Sequence, residues 1–368
     1  TDALNAFGEL YLKQAMASGV VPQITAVFGT CGGGLSVVPA LCDFAFVEKD
    51  GGKVFVNSPN AIEGNRAEKC DTSAAEFQSS ETGIVDGIGT EDEIFAKIRS
   101  LVSILPENNQ ADVYTGECTD DLNRACESME NMRGDARYLL AEISDGHVFF
   151  ETKEDYAKDM VTGFIKLNGM TVGAVANCTE VYDETGSKKE EFEPVLTARG
   201  CDKAAEFIAF CDAFEIPVLS MTHVTGFKAC KCAEKRLAKA MGRLTYAFAN
   251  ATVPKVNLIT GDVFGSASVI MNAKSIGADL VYAWPTAEIG MMDAKLAAKI
   301  MYADADAATI NEKAAEYASL QESVQSAAAR GYVDTIISAE DTRKYVIGAF
   351  EMLFTKREDR PAKKHGTV

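Results

Sequence analysis

The chain has 368 residues, 47% of them hydrophobic and 24% charged, which is the composition of a folded protein with room for two cores. Its formal net charge of -18 argues against a nucleic-acid partner, because such binding draws most of its affinity from basic groups that neutralise phosphates. The uncharged stretch between Lys13 and Asp43 holds Pro22, Pro39, Gly29, Gly32, Gly33 and Gly34, which suit a strand and turn rather than a lipid-exposed helix; with no secretory signal visible, a cytoplasmic protein is expected.

In chain order, Leu4, Phe7, Leu10, Tyr11 and Met16 recur at helical spacing and predict a helix over 3–18, stopped by Gly19. A strand and a glycine turn follow, then a helix opening at 35–41, short strands at 44–47 and 54–56, and a polar, irregular stretch at 57–80. A further strand and turn begin near Gly83, and a helix is predicted over 91–104. Residues 106–134 are polar and acidic with weak periodicity and read as a linker. Beyond Asp135, strands are predicted at 171–176, 217–221, 255–260 and 280–283, and helices at 202–214, 234–250 and 268–274. A helical region at 307–330 and a basic tail at 356–364 close the chain. Strand alternating with helix predicts an α/β fold with parallel strands and right-handed crossovers.

Two segments occur twice. VPQITAVFGTCGGGL at 21–35 matches VPKVNLITGDVFGSA at 253–267, with Val21, Pro22, Gly29 and Gly33 falling on Val253, Pro254, Gly261 and Gly265 at a constant offset of 232. GIVDGIGTEDEI at 83–94 resembles GYVDTIISAEDT at 331–342. Matches in the same order at this spacing predict two homologous domains, 1–105 and 135–368, joined by 106–134.

Each glycine turn should lie between a strand end and a helix start, where unpaired backbone N–H groups face outward and form a natural oxyanion site. A tight turn that needs glycine's torsional freedom is the plainer alternative. The glycine spacing around Cys31 is wrong for a dinucleotide fingerprint, and the Lys and Ser/Thr of a P-loop are missing. Ser266 and Ser268 lack the flanks of a nucleophile elbow, and Cys31 reads as a small buried thiol. The ten cysteines suggest a reducing compartment; with Cys230 and Cys232 the one close pair, and His147, His223 and His365 the three histidines, no structural metal is expected.

At these residues the chain resembles the carboxyltransferase family of biotin-dependent enzymes, which includes acyl-CoA carboxylase beta subunits and the alpha subunits of sodium-pumping decarboxylases. The resemblance runs through GVVPQITAVFGTCGGG (19–34), KDMVTGFIKLNGMTVGAVAN (158–177), KAAEFIAFCDAFEIPVL (203–219), ATVPKV (251–256), YAWPTAEIG (282–290) and the tail at 356–366. It implies two crotonase-like domains that transfer a carboxyl group between carboxybiotin and the alpha carbon of an acyl-CoA, with no metal and no side-chain base. It also implies a homo-oligomer in which the first domain of one subunit and the second domain of another form the site. The first turn, Gly33 and Gly34, would hold the acyl-CoA thioester oxygen; the second, Gly265, Ser266 and Ala267, the biotin ureido oxygen. Expected partners are a biotin carboxyl carrier protein and either biotin carboxylase or a membrane decarboxylase subunit.

The chain departs from the family in places. The family's first domain starts before Thr1, so the residues that hold much of the CoA are expected on another polypeptide or lost. The usual Asp-x-Pro-Gly-Phe reads His223, Val224, Thr225, Gly226, Phe227; the second Gly of the biotin turn is Ser266, and Val269 replaces an Asp that shapes the acyl pocket. The rival readings are a decarboxylase alpha subunit and a non-catalytic scaffold subunit. A crotonase-type hydratase or isomerase would need acid/base carboxylates beside the turn, whereas Glu234 and Glu288 read as structural.

Overall fold

The computed structural model of the chain describes residues 2–65, 70–114, 116–183 and 185–361; the end of the basic tail, with His365, and Thr1 lie outside the described residues. The chain folds as two compact units, one of Thr1–Thr115, Phe150–Lys158 and Ala213–Glu215, the other of Gly116–Phe149, Asp159–Asp212 and Ile216–Val368.

The first unit opens with the helix Ala3–Ala17, capped by the Asp2 side chain, which accepts the Asn5 N–H. Its strands are β1 (Ile24–Val27), β2 (Thr30–Gly32), β3 (Phe44–Glu48), β4 (Lys53–Phe55) and β5 (Gly87–Gly89). β1, β3 and β5 form one parallel sheet, while β2 leaves it to pair in parallel with β4. The apolar run at 21–35 therefore serves two sheets rather than making one strand. Between them, Val27, Cys31, Val47, Val54, Ala75 and Val85 pack into one core. The helix Glu91–Ile104 starts at a capping box of Thr90 and Glu93 and buries Ile94, Leu101 and Ile104, a single stripe at helical spacing.

In the second unit, β6 (Met160–Leu167), β7 (Met170–Asn177), β8 (Val218–Val224), β9 (Lys255–Phe264), β10 (Leu280–Ala283) and β12 (Thr335–Ile336) lie side by side in the order β12, β10, β9, β8, β7, β6, and β11 (Ile289–Gly290) pairs with the end of β9. The pairs from β12 through to β7 are parallel, as expected, but β6 runs antiparallel to β7. Asn168 and Gly169, with φ of 51° and 76°, join those two strands in a two-residue turn that reverses the chain, so the expectation of parallel pairing fails there. Most residues of β7 and β9 are buried, and Phe207 and Cys211 of the helix Ala198–Ala213 pack over Gly173 of β7.

The duplication extends to individual hydrogen bonds. Gln23 N–H donates to Asp43 Oδ2 at 2.7 Å in the first unit, and Lys255 N–H donates to Asp279 Oδ2 at 2.7 Å in the second. Ala45 N–H donates to Asp86 Oδ2 at 2.9 Å, and Val281 N–H to Asp334 Oδ2 at 2.8 Å. Asp86 and Asp334 are the aspartates of the GIVD and GYVD segments, which precede β5 and β12. In each unit two carboxylates therefore fasten neighbouring parallel strands at matching places.

Candidate functional site

Each glycine turn stands at the exit of a strand. β2 ends at Gly32 and enters the 3-10 turn Gly33–Ser36, followed by the short helix Val37–Leu41. β9 ends at Phe264 and enters the helix Gly265–Ile270, which begins earlier than the predicted 268–274. The leading glycines take the left-handed conformation, Gly33 with φ 62° and Gly265 with φ 61°, a region that side chains with a Cβ rarely adopt. Three residues on, Ser36 Oγ donates to the Gly33 carbonyl at 2.7 Å and Ser268 Oγ to the Gly265 carbonyl at 2.8 Å. With the leading carbonyl tied back in this way, the first-turn N–H groups are those that intrahelical bonding cannot reach.

Of the expected site residues, Gly33 and Gly34 lie together and exposed in the first turn; Gly265 is half-buried, Ser266 exposed and Ala267 fully buried in the second. The phenol of Tyr11, on the first helix, donates to the Gly34 carbonyl. Phe55 closes the strand behind the first turn: a Cβ built on its partner Gly32 would stand 2.6 Å from the ring. At the second turn the pairing is Phe264 with Gly290, and a Cβ on Gly265 would meet the Met291 carbonyl at 3.1 Å.

Two cavities flank Gly265. One of about 360 Å³ is lined by Val263, Ser268, Val269, Ile289 and Gly290. Thr222 and Asn257, also in its wall, belong to a buried polar network in which Asn257 Oδ1 accepts from Thr222 Oγ at 2.8 Å and Ser220 Oγ at 3.1 Å. The other, of about 500 Å³, is lined by Thr225, Phe227, Asp262, Ser266 and Leu296. Val269 also stands in the wall of the first cavity.

Side-chain chemistry at the turns is limited. Burial pushes the Cys31 thiol up, and Cys31 packs in the first core. The Ser268 hydroxyl is committed to the Gly265 carbonyl. His223 sits where β8 shifts register against β9, with its ring over Gly261; its Nδ1 is buried without a hydrogen-bond partner, and burial lowers its pKa, favouring the neutral imidazole. The Glu288 carbonyl accepts the Val263 N–H at 2.8 Å, and burial, with Asp262 and Asp293 nearby, raises its carboxyl pKa. Glu234 is exposed. Among the described residues no group of three or more His, Cys, Asp or Glu could hold a metal ion, and no helix is long and apolar enough to cross a membrane.

The serine braces were legible in sequence, since Ser36 and Ser268 stand 232 residues apart like the glycines they hold. Tyr11 and Phe55 carried no such signal, because they meet the first turn from separate elements.

A family model described as the carboxyl transferase domain matches residues 1–368. The chain is 36% identical to the propionyl-CoA carboxylase carboxyltransferase subunit of Haloferax mediterranei, over 100% of this chain and 72% of that protein. It is 34% identical to the methylmalonyl-CoA decarboxylase alpha subunit of Veillonella parvula, over 100% of this chain and 72% of that protein. A transcarboxylase 12S crystal structure, described as a hexamer assembly with hydrolyzed methylmalonyl-coenzyme A bound, superposes with a TM-score of 0.89 at 34% identity, covering 99% of this chain and 72% of that one.

Proposed function

The chain belongs to the carboxyl transferase domain family, as a biotin-dependent acyl-CoA carboxyltransferase of the carboxylase beta and decarboxylase alpha type, and on that premise we propose that its two glycine turns are paired oxyanion sites. The first, through Gly33 and Gly34, receives the thioester oxygen of an acyl-CoA. The second, through Gly265, Ser266 and Ala267, receives the ureido oxygen of a biotin carried by a partner protein. The observation that carries this reading is the repeated backbone: a left-handed glycine at 62° and 61°, each braced by a serine three residues later at 2.7 and 2.8 Å.

The donor chemistry fits both groups, because each presents a carbonyl oxygen that gains negative charge as the reaction proceeds. Fixed N–H groups stabilise that charge without reorganising, and each is worth about 3 kcal/mol of barrier. Bound biotin supplies the carboxyl group or accepts it. This chain's part is to stabilise the enolate oxygen on the acyl side and the developing anion on the biotin side, so that neither turn needs a side-chain base. The cavities on both sides of Gly265 give the second turn room for a ring and its tether. The protein acts in this reading as an oligomer in the cytoplasm.

The test is to incubate the protein with free biotin and malonyl-, methylmalonyl- or glutaconyl-CoA and to follow carboxylation of biotin. Transfer from at least one of them, lost on replacing Ala267 by Pro, is expected. A folded protein that transfers from none would support the scaffold reading instead.

A further inference from the structure

Behind the second turn lies a carboxyl group that the proposed reaction does not use. Glu322 ends a π-helical turn, Ala318–Glu322; it is 0% exposed, and neither carboxyl oxygen has a hydrogen-bond partner. Its side chain is seated against β11, where a Cβ built on Gly290 would stand 2.9 Å from Glu322 Cγ. Gly290 pairs with Phe264, the residue that leads into the turn, and the Met291 carbonyl faces Gly265. Glu322 thus supports the strand whose end packs on the turn.

At the corresponding place the first unit carries no acid. In each unit an isolated antiparallel bridge marks corresponding residues, Lys53 with Ala74 and Glu288 with Ser323, so the residue before the second partner is Ser73 in one unit and Glu322 in the other. Ser73 is neutral and hydrogen-bonded, its Oγ donating to Asp71 Oδ1 at 2.6 Å. At this position, therefore, the second unit has a buried, unpartnered acid where the first has a hydrogen-bonded serine.

Its surroundings disfavour a negative charge. Asp262 faces it from β9, Glu288 from the residue before β11, and Asp293 from the start of the helix Ala294–Met301; the Ala294 N–H faces it without closing a hydrogen bond. We propose that Glu322 is a positioning residue: as the neutral acid it fills the space beside Gly290 and holds β11 and the Met291 carbonyl against Gly265, and ionisation withdraws that support from the second turn. The proposal rests on the reading of the second turn as part of the site.

Burial, then the charges of Glu288 and Asp293, push the Glu322 carboxyl from 4.5 up to about 7. The sign follows from linkage: between those values the folded chain keeps a proton that the unfolded chain has released, so stability falls as pH rises through the window and levels off above it. If only the neutral form holds the turn, turnover falls about tenfold per pH unit above the midpoint, as one proton leaves for solvent.

Thermal unfolding and transfer rates of the full chain, compared for wild type and Glu322→Gln from pH 5 to 9, test this. The wild type is expected to lose stability relative to the variant as pH rises from 5 to about 7 and no further above it, while its kcat falls above about 7 on a one-proton limb that the variant lacks. Glu322→Met, apolar and close in volume, is the second variant should the first fail to fold. Unfolding curves whose pH dependence superimposes on wild type overturn the proposal outright. A difference in unfolding with an unchanged rate limb overturns the positioning role while leaving the ionisation in place. Since loss of activity in Ala267→Pro reports on the turn by itself, failure here is distinguishable from failure of the oxyanion reading.

Discussion

In the first unit Gly32 faces Phe55 across the β2–β4 pair, whereas in the second Phe264 faces Gly290 across β9 and β11. The large and small residues have exchanged strands, yet the leading glycine keeps its conformation, with φ of 62° at Gly33 and 61° at Gly265, before a 3-10 turn in the first unit and a helix in the second. The shape of the turn depends on the leading glycine and the serine brace, both local. The packing behind it is free to change, and it has changed differently in each unit, toward an aromatic ring in the first and toward Glu322 in the second. In the proposed reading, this difference in packing lets two turns that share a leading glycine and a serine brace receive unlike partners.

The strongest way to break this comparison is Ala267→Pro. Proline deletes the N–H at 267, and loss of one oxyanion donor costs about a hundred- to a thousand-fold in kcat, or roughly 3 to 4 kcal/mol of barrier. Circular dichroism should show the fold intact; full activity in the folded variant would remove Ala267 from the site. A smaller effect sharpens the contrast between the turns. Alanine at either leading glycine incurs about 1 to 2 kcal/mol for the left-handed backbone. At Gly33 the added methyl meets nothing within 4 Å, but at Gly265 it meets the Met291 carbonyl at 3.1 Å. Denaturant unfolding should therefore show Gly265→Ala more destabilised than Gly33→Ala, and equal losses would mean that the turns are supported alike.

The serine braces come next. Ser36→Ala and Ser268→Ala each remove one hydrogen bond to a turn carbonyl, and each should lower stability by about 1 kcal/mol in the same unfolding experiment. A marked inequality would show that one turn does not rely on its brace. The smallest effect is expected from Ser266→Gly, which removes an exposed hydroxyl and keeps every backbone donor; it should lower kcat by less than about threefold, or about 0.7 kcal/mol. Abolished turnover in that variant would make the hydroxyl chemically required.

Much of this architecture is carried by local patterns. A turn with a left-handed glycine and a serine three residues later can be written within a few residues, and so it survives in the sequence as a repeat. The helices Ala3–Ala17 and Glu91–Ile104 follow from apolar spacing and, in the second, a capping box. The Asn168-Gly169 pair also marks its hairpin in sequence, although the alternation of strands with helices, which favours parallel pairing, conceals it. The helix Ala294–Met301, short and largely exposed, is not among the elements predicted from spacing.

By itself, the sequence determined that a strand and glycine turn occur twice, that the fold is α/β, and that the chain resembles carboxyltransferases, because those features rest on residue types at fixed short spacings. Only the tertiary structure decided what stands behind each turn: Phe55 against Gly32, the Tyr11 phenol on the Gly34 carbonyl, and Glu322 beneath Gly290. Those residues lie 23 positions or more from the groups they touch and come from separate elements, so no periodicity records them. A glutamate in a polar stretch looks solvated in sequence; it becomes a buried acid only when β11 and its neighbours close around it and exclude water.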